Sequence, residues 1–272
     1  MLQSNRQVGK SEAEQLDLAT RAALEAQITD ARTEELPFER FTAINTSLET
    51  YANRYLWRQY LFNFLGNVAG KVVLDIACGY SMTPVMFALA GAKQVVAVDV
   101  APKTVAMVQR FAEYKGVGER LRTHVGPAEQ LPFENASFDL IYGGAALHHL
   151  QLDRAGRELA RVLKPGGKGG FQDPLGHNLL LEFVRDYVPY KDKHPIKGTD
   201  RPMRIRDVEM FGRAFATYTY RGFELVDMLS KPLHLKRTSH VQQAFEHIDG
   251  VVFKTVPYLQ RYARFVITCV TN

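Results

Sequence analysis

Between residues 71 and 173, short apolar runs alternate with amphipathic stretches, and this alternation is the feature that most constrains the fold. Runs of β-branched and other apolar residues predict strands, whereas spaced apolar residues, often bounded by proline and glycine, predict helices. The predicted strands are 72–76, 94–100, 121–126, 138–144 and 168–173, and the predicted helices are 83–91, 102–116 and 155–167. Such alternation indicates a parallel sheet with helices on both faces.

Mostly helical sequence flanks this segment. The elements predicted outside it are helices at 12–32, 48–64 and 239–249, a helical insertion with a basic connector at 175–215, and strands at 222–230 and 262–270. We therefore predict an α/β chain with a helical N-terminal cap, residues 1–70. A core, residues 71–272, follows it and contains the 175–215 insertion.

The composition argues against several other classes of protein. No run of about 18 or more apolar residues is present, so no transmembrane helix is predicted. Residues 1–15 lack the apolar core of a signal peptide. The two cysteines, Cys78 and Cys269, lie far apart, and neither belongs to a CxxC motif or a Cys/His cluster. We therefore expect a cytoplasmic protein with no disulfide framework and no bound metal.

The net charge of +5 is modest, and basic residues are most concentrated between positions 185 and 213. A solvated basic face is the simpler interpretation of this cluster. A site for an acidic or phosphorylated substrate is the alternative. We do not expect a nucleic-acid partner.

The stretch VVLDIACGYS, residues 72–81, places an acid and a nearly bare turn at the end of a predicted strand. In an open parallel sheet, ligands bind beyond the carboxyl ends of the strands. Small residues allow the backbone to approach a ligand closely. Only Gly79 is a glycine, so the turn departs from the G-x-G-x-x-G pattern of a pyrophosphate site.

Two acids end neighbouring predicted strands. Asp99 follows the turn by about 20 residues, and a carboxylate there suits the two hydroxyls of a ribose. Asp75 would repel a phosphate and is better matched to a cation, such as an ammonium or sulfonium group. The two acids together predict a nucleoside ligand that carries a positive charge.

Five segments, in this order, resemble the class I S-adenosylmethionine-dependent methyltransferases. They are VLDIACGYS, VVAVDV, GPAEQLPFENASFDLIY, GGAALHHL and ELARVLKPGGKGGFQDP, which together span about 72–174. The resemblance implies S-adenosyl-L-methionine as the cofactor. It also implies a seven-stranded, mostly parallel sheet in which the last strand runs antiparallel beside the sixth, and an insertion after the fifth strand that covers the substrate.

The resemblance and the strand ends together assign candidate site residues. The cofactor-binding candidates are Asp75, Ala77, Cys78, Gly79, Ser81, Asp99, Val100, Ala128, Glu129 and Gly143. His148 and His149 are candidate bases, which the sequence does not separate, and the pair can also serve only to shape the pocket. Substrate-binding candidates are His177, Tyr51 and Tyr55; a capping role for His177 and core packing for the tyrosines are the alternatives.

Three positions depart from the family pattern. Ala77 and Ser81 stand where glycine is usual, and we expect Ala77 to be tolerated if its backbone angles are ordinary. Pro127 stands where an aspartate often meets the adenine amino group. Adenine recognition would then depend on Ala128 and apolar neighbours, with Glu129 as a weaker candidate.

From these residues we predict methyl transfer to a small molecule, with oxygen favoured over carbon and nitrogen as the acceptor because of the histidines. The transfer needs the acceptor aligned with the methyl group, and a base if the acceptor carries a proton. The alternatives are a nucleic-acid or protein methyltransferase, and a protein that binds the cofactor without transferring its methyl group.

Overall fold

A computed structural model describes residues 17–179, 181–183, 201–230, 234 and 240–272. Residues 184–200, which include most of the predicted basic connector and part of the helix expected before it, lie outside the described residues. Within the described ranges, no helix combines the length and apolar composition that a membrane crossing requires.

Seven strands of the described chain form one sheet, in the order β3-β2-β1-β4-β5-β7-β6. The strands are β1 Val72–Ile76, β2 Gln94–Asp99, β3 Leu121–Val125, β4 Phe138–Gly144, β5 Leu163–Pro174, β6 Thr217–Phe223 and β7 Phe265–Thr271. β1 to β5 pair in parallel, and β7 runs antiparallel to both β5 and β6. This topology confirms the predicted α/β fold. The strand order switches direction between β1 and β4, where such sheets bind ligands.

Helices cover both faces of the sheet. They are α1 Leu18–Glu34, α2 Glu39–Thr42, α3 Leu48–Asn53, α4 Leu56–Leu65, α5 Thr83–Leu89, α6 Pro102–Tyr114, α7 Leu152–Val162, α8 Ile205–Gly212 and α9 His240–Thr255. Along β1, Leu74 and Ile76 belong to one apolar core, and Val73 belongs to the core on the opposite face. Apart from Asp75, the strand is apolar because both of its faces are buried.

The sixth strand was wrongly predicted at 222–230. The strand occupies Thr217–Phe223, and Asp227–Ser230 form a 3₁₀ turn. As the edge strand, β6 alternates between exposed and partly buried residues, and Tyr218 and Tyr220 pack against the core. The sequence TYTY shows this period of two. The stretch GFELV is more apolar, and for this reason the strand was predicted further along the chain.

The end of the helix predicted at 155–167 was also wrong. α7 ends at Val162, and Lys164-Pro165-Gly166-Gly167 belong to β5. The pairing of β4 with β5 shifts register between Phe138 and Leu140, so an irregular segment that contains the Pro-Gly-Gly sequence is accommodated within the strand. Gly166 has a positive φ of 75° there, and its N–H donates to the Asn272 carbonyl.

The helix predicted from Leu48 to Phe64 is two helices, because Tyr55 is extended (φ −141°) and separates α3 from α4.

The first helix, α1, lies against α6. The hydroxyls of Thr33 and Thr104 form a buried hydrogen bond of 2.7 Å. Asp30 Oδ1 accepts the Lys103 N–H at 2.9 Å and thereby caps α6 from another helix. α1 is therefore held beside the carboxyl end of β2.

Candidate active site

A cavity with a volume of about 1440 Å³ lies at the carboxyl ends of β1, β2 and β4. Its floor consists of the loop after β1, the end of β2, residues 126–129 and the segment after β4. Its roof is formed by α1, residues 43–46 and α3. A single small-molecule site usually occupies about 300–1,000 Å³. The cavity therefore has room for a nucleoside cofactor and a second molecule.

Asp99 links the floor of the cavity to the end of β2. Its Oδ2 accepts the Gly79 N–H at 2.8 Å, and its Oδ1 accepts the Ala101 N–H at 2.9 Å. Burial raises the pKa of Asp99, the two N–H groups oppose this rise, and the charge of Asp30 adds to it. A carboxylate can accept about four hydrogen bonds, so these two contacts leave capacity for ribose hydroxyls.

Asp75, two residues before the loop, is 1% exposed and lies outside the cavity lining. Its Oδ2 has no hydrogen-bond partner among the described residues. Burial, and then the charge of Asp99, raise the pKa of Asp75 well above its ordinary value. A buried carboxyl oxygen without a partner is costly, and a cation bound nearby would offset that cost.

The loop after β1 has a left-handed turn at two positions. Gly79 has φ 52°, and Ala77 has φ 44°. Ala77 therefore does not meet the condition of ordinary backbone angles. The turn lets the Cys78 N–H donate to the Val98 carbonyl at 3.0 Å while the next N–H reaches Asp99. A Cβ at Gly79 would meet no atom within 4 Å, so the backbone angle, rather than lack of space, favours glycine there.

The two histidines occupy different positions in a 3₁₀ turn, Leu147–His149, after β4. His148 is buried, and its Nδ1 lies 2.8 Å from Oδ1 of Asp173 at the end of β5. The Asp173 Oδ1 also accepts the His148 backbone N–H at 3.2 Å. His149 lines the cavity, and its ring centroid lies 4.1 Å from that of His148. Its Nδ1 is 3.6 Å from Glu25 Oε1 of α1.

Comparison with known proteins identifies the family of this chain. Residues 74–170 match the family described as a methyltransferase domain. The 27-O-demethylrifamycin SV methyltransferase of Amycolatopsis mediterranei is 34% identical over 214 residues, which cover 72% of each chain. The chain belongs to the class I S-adenosylmethionine-dependent methyltransferases. The uncharacterized methyltransferase YcgJ of Bacillus subtilis is 40% identical over 128 residues, 46% of this chain and 50% of that one.

Solved structures share the fold of this methyltransferase. The geranyl diphosphate C-methyltransferase of Streptomyces coelicolor aligns with a TM-score of 0.58 over 92% of this chain and 97% of that chain, at 14% identity. The [4+2]-cyclase SpnF aligns with a TM-score of 0.51 over 80% of this chain and 83% of that chain, at 21% identity. At these identities the likeness establishes the fold alone.

The residues present fit S-adenosylmethionine. The carboxylate of Asp99 suits the ribose hydroxyls. Asp75, in contrast, is buried and is not among the residues that line the cavity. Seven further cofactor-binding candidates line the cavity: Ala77, Cys78, Gly79, Ser81, Val100, Ala128 and Glu129. Gly143 lies outside the lining, and its neighbours Gly144 and Ala145 take its place. A Cβ at Gly143 would meet Phe171 at 2.8 Å, so close packing favours glycine there.

Burial raises the pKa values of two cavity-lining candidates, Glu129 and Cys78. Glu129 Oε1 accepts the Gln151 N–H at 2.8 Å, which places this carboxylate at the start of α7. Burial raises the pKa of Glu129, and the charge of Arg21 lowers it. Burial, followed by the charges of Asp99 and Asp75, raises the pKa of Cys78 well above its ordinary value. The thiol therefore stays protonated and is a poor nucleophile.

The three substrate-binding candidates are dispersed. Tyr51 lines the cavity and is hydrogen-bonded to the buried Tyr142. Tyr55 lies outside the lining and stacks on Trp57, with ring centroids 5.8 Å apart. His177 also lies outside; its Nε2 accepts the Ile205 N–H at 3.1 Å at the start of α8, and burial lowers its pKa. This contact agrees with the capping alternative for His177.

Sequence reasoning missed the polar residues that the roof brings to the cavity. Arg21 and Glu25 come from α1, and Thr50 and Asn53 come from α3. The amphipathic spacing of residues 12–32 indicated a helix, but not which elements it would pack against. The face of α1 that lines the cavity carries Arg21, Glu25, Thr29 and Arg32, so no apolar stripe marked this face in the sequence.

Proposed function

We propose that this methyltransferase methylates a hydroxyl group of a small molecule, with His149 as the general base. The observation that carries the proposal is a single cavity lined both by the cofactor loop with Asp99 and by the ring of His149. The cofactor, when bound, supplies an electrophilic methyl group on a positively charged sulfur. The described residues of this chain have to bind the two molecules, orient them and remove a proton.

The roof of the cavity supports a small acceptor. α1 and α3 cover the space beyond the strand ends, where a macromolecular substrate would need an open cleft. Relatives with a named acceptor support the same class. They include the 27-O-demethylrifamycin SV methyltransferase and the norajmaline N-methyltransferase of Rauvolfia serpentina, which is 33% identical over 97 residues, 35% of this chain and 33% of that one.

The acceptor hydroxyl needs a base because it is protonated at neutral pH. His149 faces the cavity, and its neutral imidazole can accept a proton there. His148 is buried behind it and held through Nδ1 by Asp173, so we assign His148 to positioning rather than to proton transfer. The two candidate bases thereby receive separate roles.

Carbon methylation is the second candidate. The sterol 24-C-methyltransferase of Pneumocystis carinii is 30% identical over 160 residues, 58% of this chain and 41% of that one. The same base can take a proton from an acidic carbon. The shared fold of SpnF, named a [4+2]-cyclase, indicates that fold by itself does not decide whether a methyl group is transferred.

Transfer of an isotopically labelled methyl group tests the proposal. The protein is incubated with S-adenosylmethionine carrying a ¹³C methyl group and a panel of alcohols, phenols, sterols and amines. NMR then identifies the atom that receives the label. We expect an O-methyl product, and His149→Gln should lower kcat by about 10²–10⁴-fold, the usual contribution of a general base. His247→Gln, at an exposed position of α9, is the matched control and should keep full activity.

Two results would contradict the proposal. One is label found only on carbon or nitrogen. The other is a His149→Gln protein that methylates the hydroxyl as fast as the His247→Gln control. S-adenosylhomocysteine affinity measured by calorimetry on all three proteins separates a lost base from a lost cofactor site.

A further inference from the structure

We infer that Glu25 of α1 is a positioning residue for His149, an inference that rests on the proposed role of His149 as the base. Glu25 lies outside residues 74–170, the part of the chain that matches the methyltransferase family. The N-terminal helix would then supply a functional group to the site in addition to covering it.

The contact joins two cavity-lining side chains. Glu25 Oε1 lies 3.6 Å from His149 Nδ1, and the side chains are 13% and 27% exposed. This is an ion-pair distance, longer than a hydrogen bond. Catalytic hydrogen bonds are often long in the free enzyme and shorten once substrates are bound. The low exposure of Glu25 keeps the carboxylate charge effective at this distance.

The ring of His149 is thus held from two sides. Glu25 lies at its Nδ1 edge, and the ring of His148, fixed in turn by Asp173, packs against it with centroids 4.1 Å apart. Such an arrangement limits the ring to few orientations. A base has to be within hydrogen-bond reach of the proton that it removes, so this restriction favours catalysis.

The two ring nitrogens of His149 have different roles in the proposed proton transfer. A carboxylate beside Nδ1 favours the tautomer with the proton on Nδ1, which leaves the lone pair of Nε2 for the acceptor. When the acceptor O–H bond breaks, its proton forms an N–H bond at Nε2 and the electron pair stays on oxygen. The ring becomes an imidazolium, and the negative charge of Glu25 stabilises it.

The position of Glu25 depends on how α1 is attached to the core. Thr33 binds Thr104 through a buried hydrogen bond, and Asp30 caps the first turn of α6 through the Lys103 N–H. Asp30 and Thr33 follow Glu25 in the same helix, and at 3.6 residues per turn Asp30 is less than two turns from the carboxylate and Thr33 slightly more than two turns. The helix is therefore attached firmly enough to orient a side chain.

Nitrogen NMR of the histidine rings tests the inference without an acceptor. Two-bond ¹H–¹⁵N spectra of the complex with S-adenosylhomocysteine at pH 7.5 report the tautomer of each ring, and His149→Gln identifies the relevant signal. We expect His149 with its proton on Nδ1 in the wild type, and a shift towards the Nε2–H tautomer in Glu25→Gln. Glu25→Asp keeps the charge and should keep the wild-type tautomer.

Glu35→Gln removes an exposed carboxylate at the end of the same helix and is the matched control. It should leave the tautomer unchanged. The inference is overturned if Glu25→Gln has the wild-type tautomer, or if His149 is doubly protonated in the wild type, because a charged ring cannot accept a proton. If the Glu25→Gln protein does not fold, Glu25→Asp provides the test by itself. A His149 tautomer that differs from the wild type in Glu25→Asp would then overturn the inference.

A kinetic measurement separates this inference from the proposed function. With a hydroxyl acceptor identified by methyl labelling, Glu25→Gln should lower kcat roughly tenfold or more and leave the acceptor KM and the S-adenosylhomocysteine affinity unchanged. An unchanged kcat would overturn the inference while His149→Gln remains impaired. If His149→Gln is itself fully active, the proposed function fails instead.

Discussion

Replacing Ala77 by glycine should stabilise the protein, although alanine-to-glycine changes usually destabilise. Ala77 has φ 44°, in the left-handed region, and lies in the cofactor loop. An L-residue with a Cβ pays about 1–2 kcal/mol for this conformation. Glycine avoids that cost because it has no Cβ.

The greater conformational freedom of the unfolded variant reduces this gain in stability. A glycine there has more conformational freedom than alanine, which costs about 0.4–1 kcal/mol on folding. The difference between the two effects ranges from about 0 to 1.6 kcal/mol, and its central value is a net stabilisation of about 0.8 kcal/mol. For a chain of this size, a change of 1 kcal/mol shifts Tm by about 2–4 °C. We therefore expect Ala77→Gly to raise Tm by about 1–4 °C.

Differential scanning calorimetry with two control variants checks this reasoning. Ala136 also has a positive φ, 53°, at an exposed turn outside the cavity lining, so Ala136→Gly should give a similar gain. Ala244 lies at an exposed position of α9, where glycine should cost about 1 kcal/mol. The strain argument is refuted if Ala77→Gly lowers Tm as Ala244→Gly does.

The two acids of the site give the remaining predictions. Asp75→Asn should raise the free energy of unfolding at neutral pH, because burial and the charge of Asp99 raise the pKa of Asp75. A carboxyl whose folded-state pKa is raised contributes stability below its unfolded pKa, and this is lost as pH rises through the folded pKa. The advantage of the variant in urea unfolding should thus be larger at pH 8 than at pH 5, and an equal advantage would contradict the assignment. Asp99→Ala should weaken S-adenosylhomocysteine binding by about 1.5–3 kcal/mol, the value of charge-assisted hydrogen bonds, and unchanged affinity by calorimetry would argue against a ribose contact.

The sheet and the cofactor loop could be predicted from sequence because their signals are local. β1, β2 and β4 are short, mostly apolar runs, and Gly79 and Asp99 are placed by their distance from strand ends. Parallel strands end at one edge, so this spacing translates directly into a shared site. The observed contact between Gly79 and Asp99 shows how closely the two strand ends meet.

Features set by tertiary packing could not be predicted. The left-handed angle at Ala77 is imposed by the hydrogen bonds of Cys78 and Gly79 to β2, which a propensity for alanine does not reveal. The edge strand β6 is half exposed, so its apolar signal is weaker than that of the residues after it. The neighbouring positions of Glu25 and His149 depend on where α1 packs, and the two residues are 124 positions apart.

A crystal structure of the protein with S-adenosylhomocysteine tests the central claim most directly. The account predicts that the ribose hydroxyls bind Asp99 and that the sulfur end of the molecule lies in the part of the cavity that His149 faces. A nucleoside bound elsewhere, or one whose sulfur points away from His149, would contradict it.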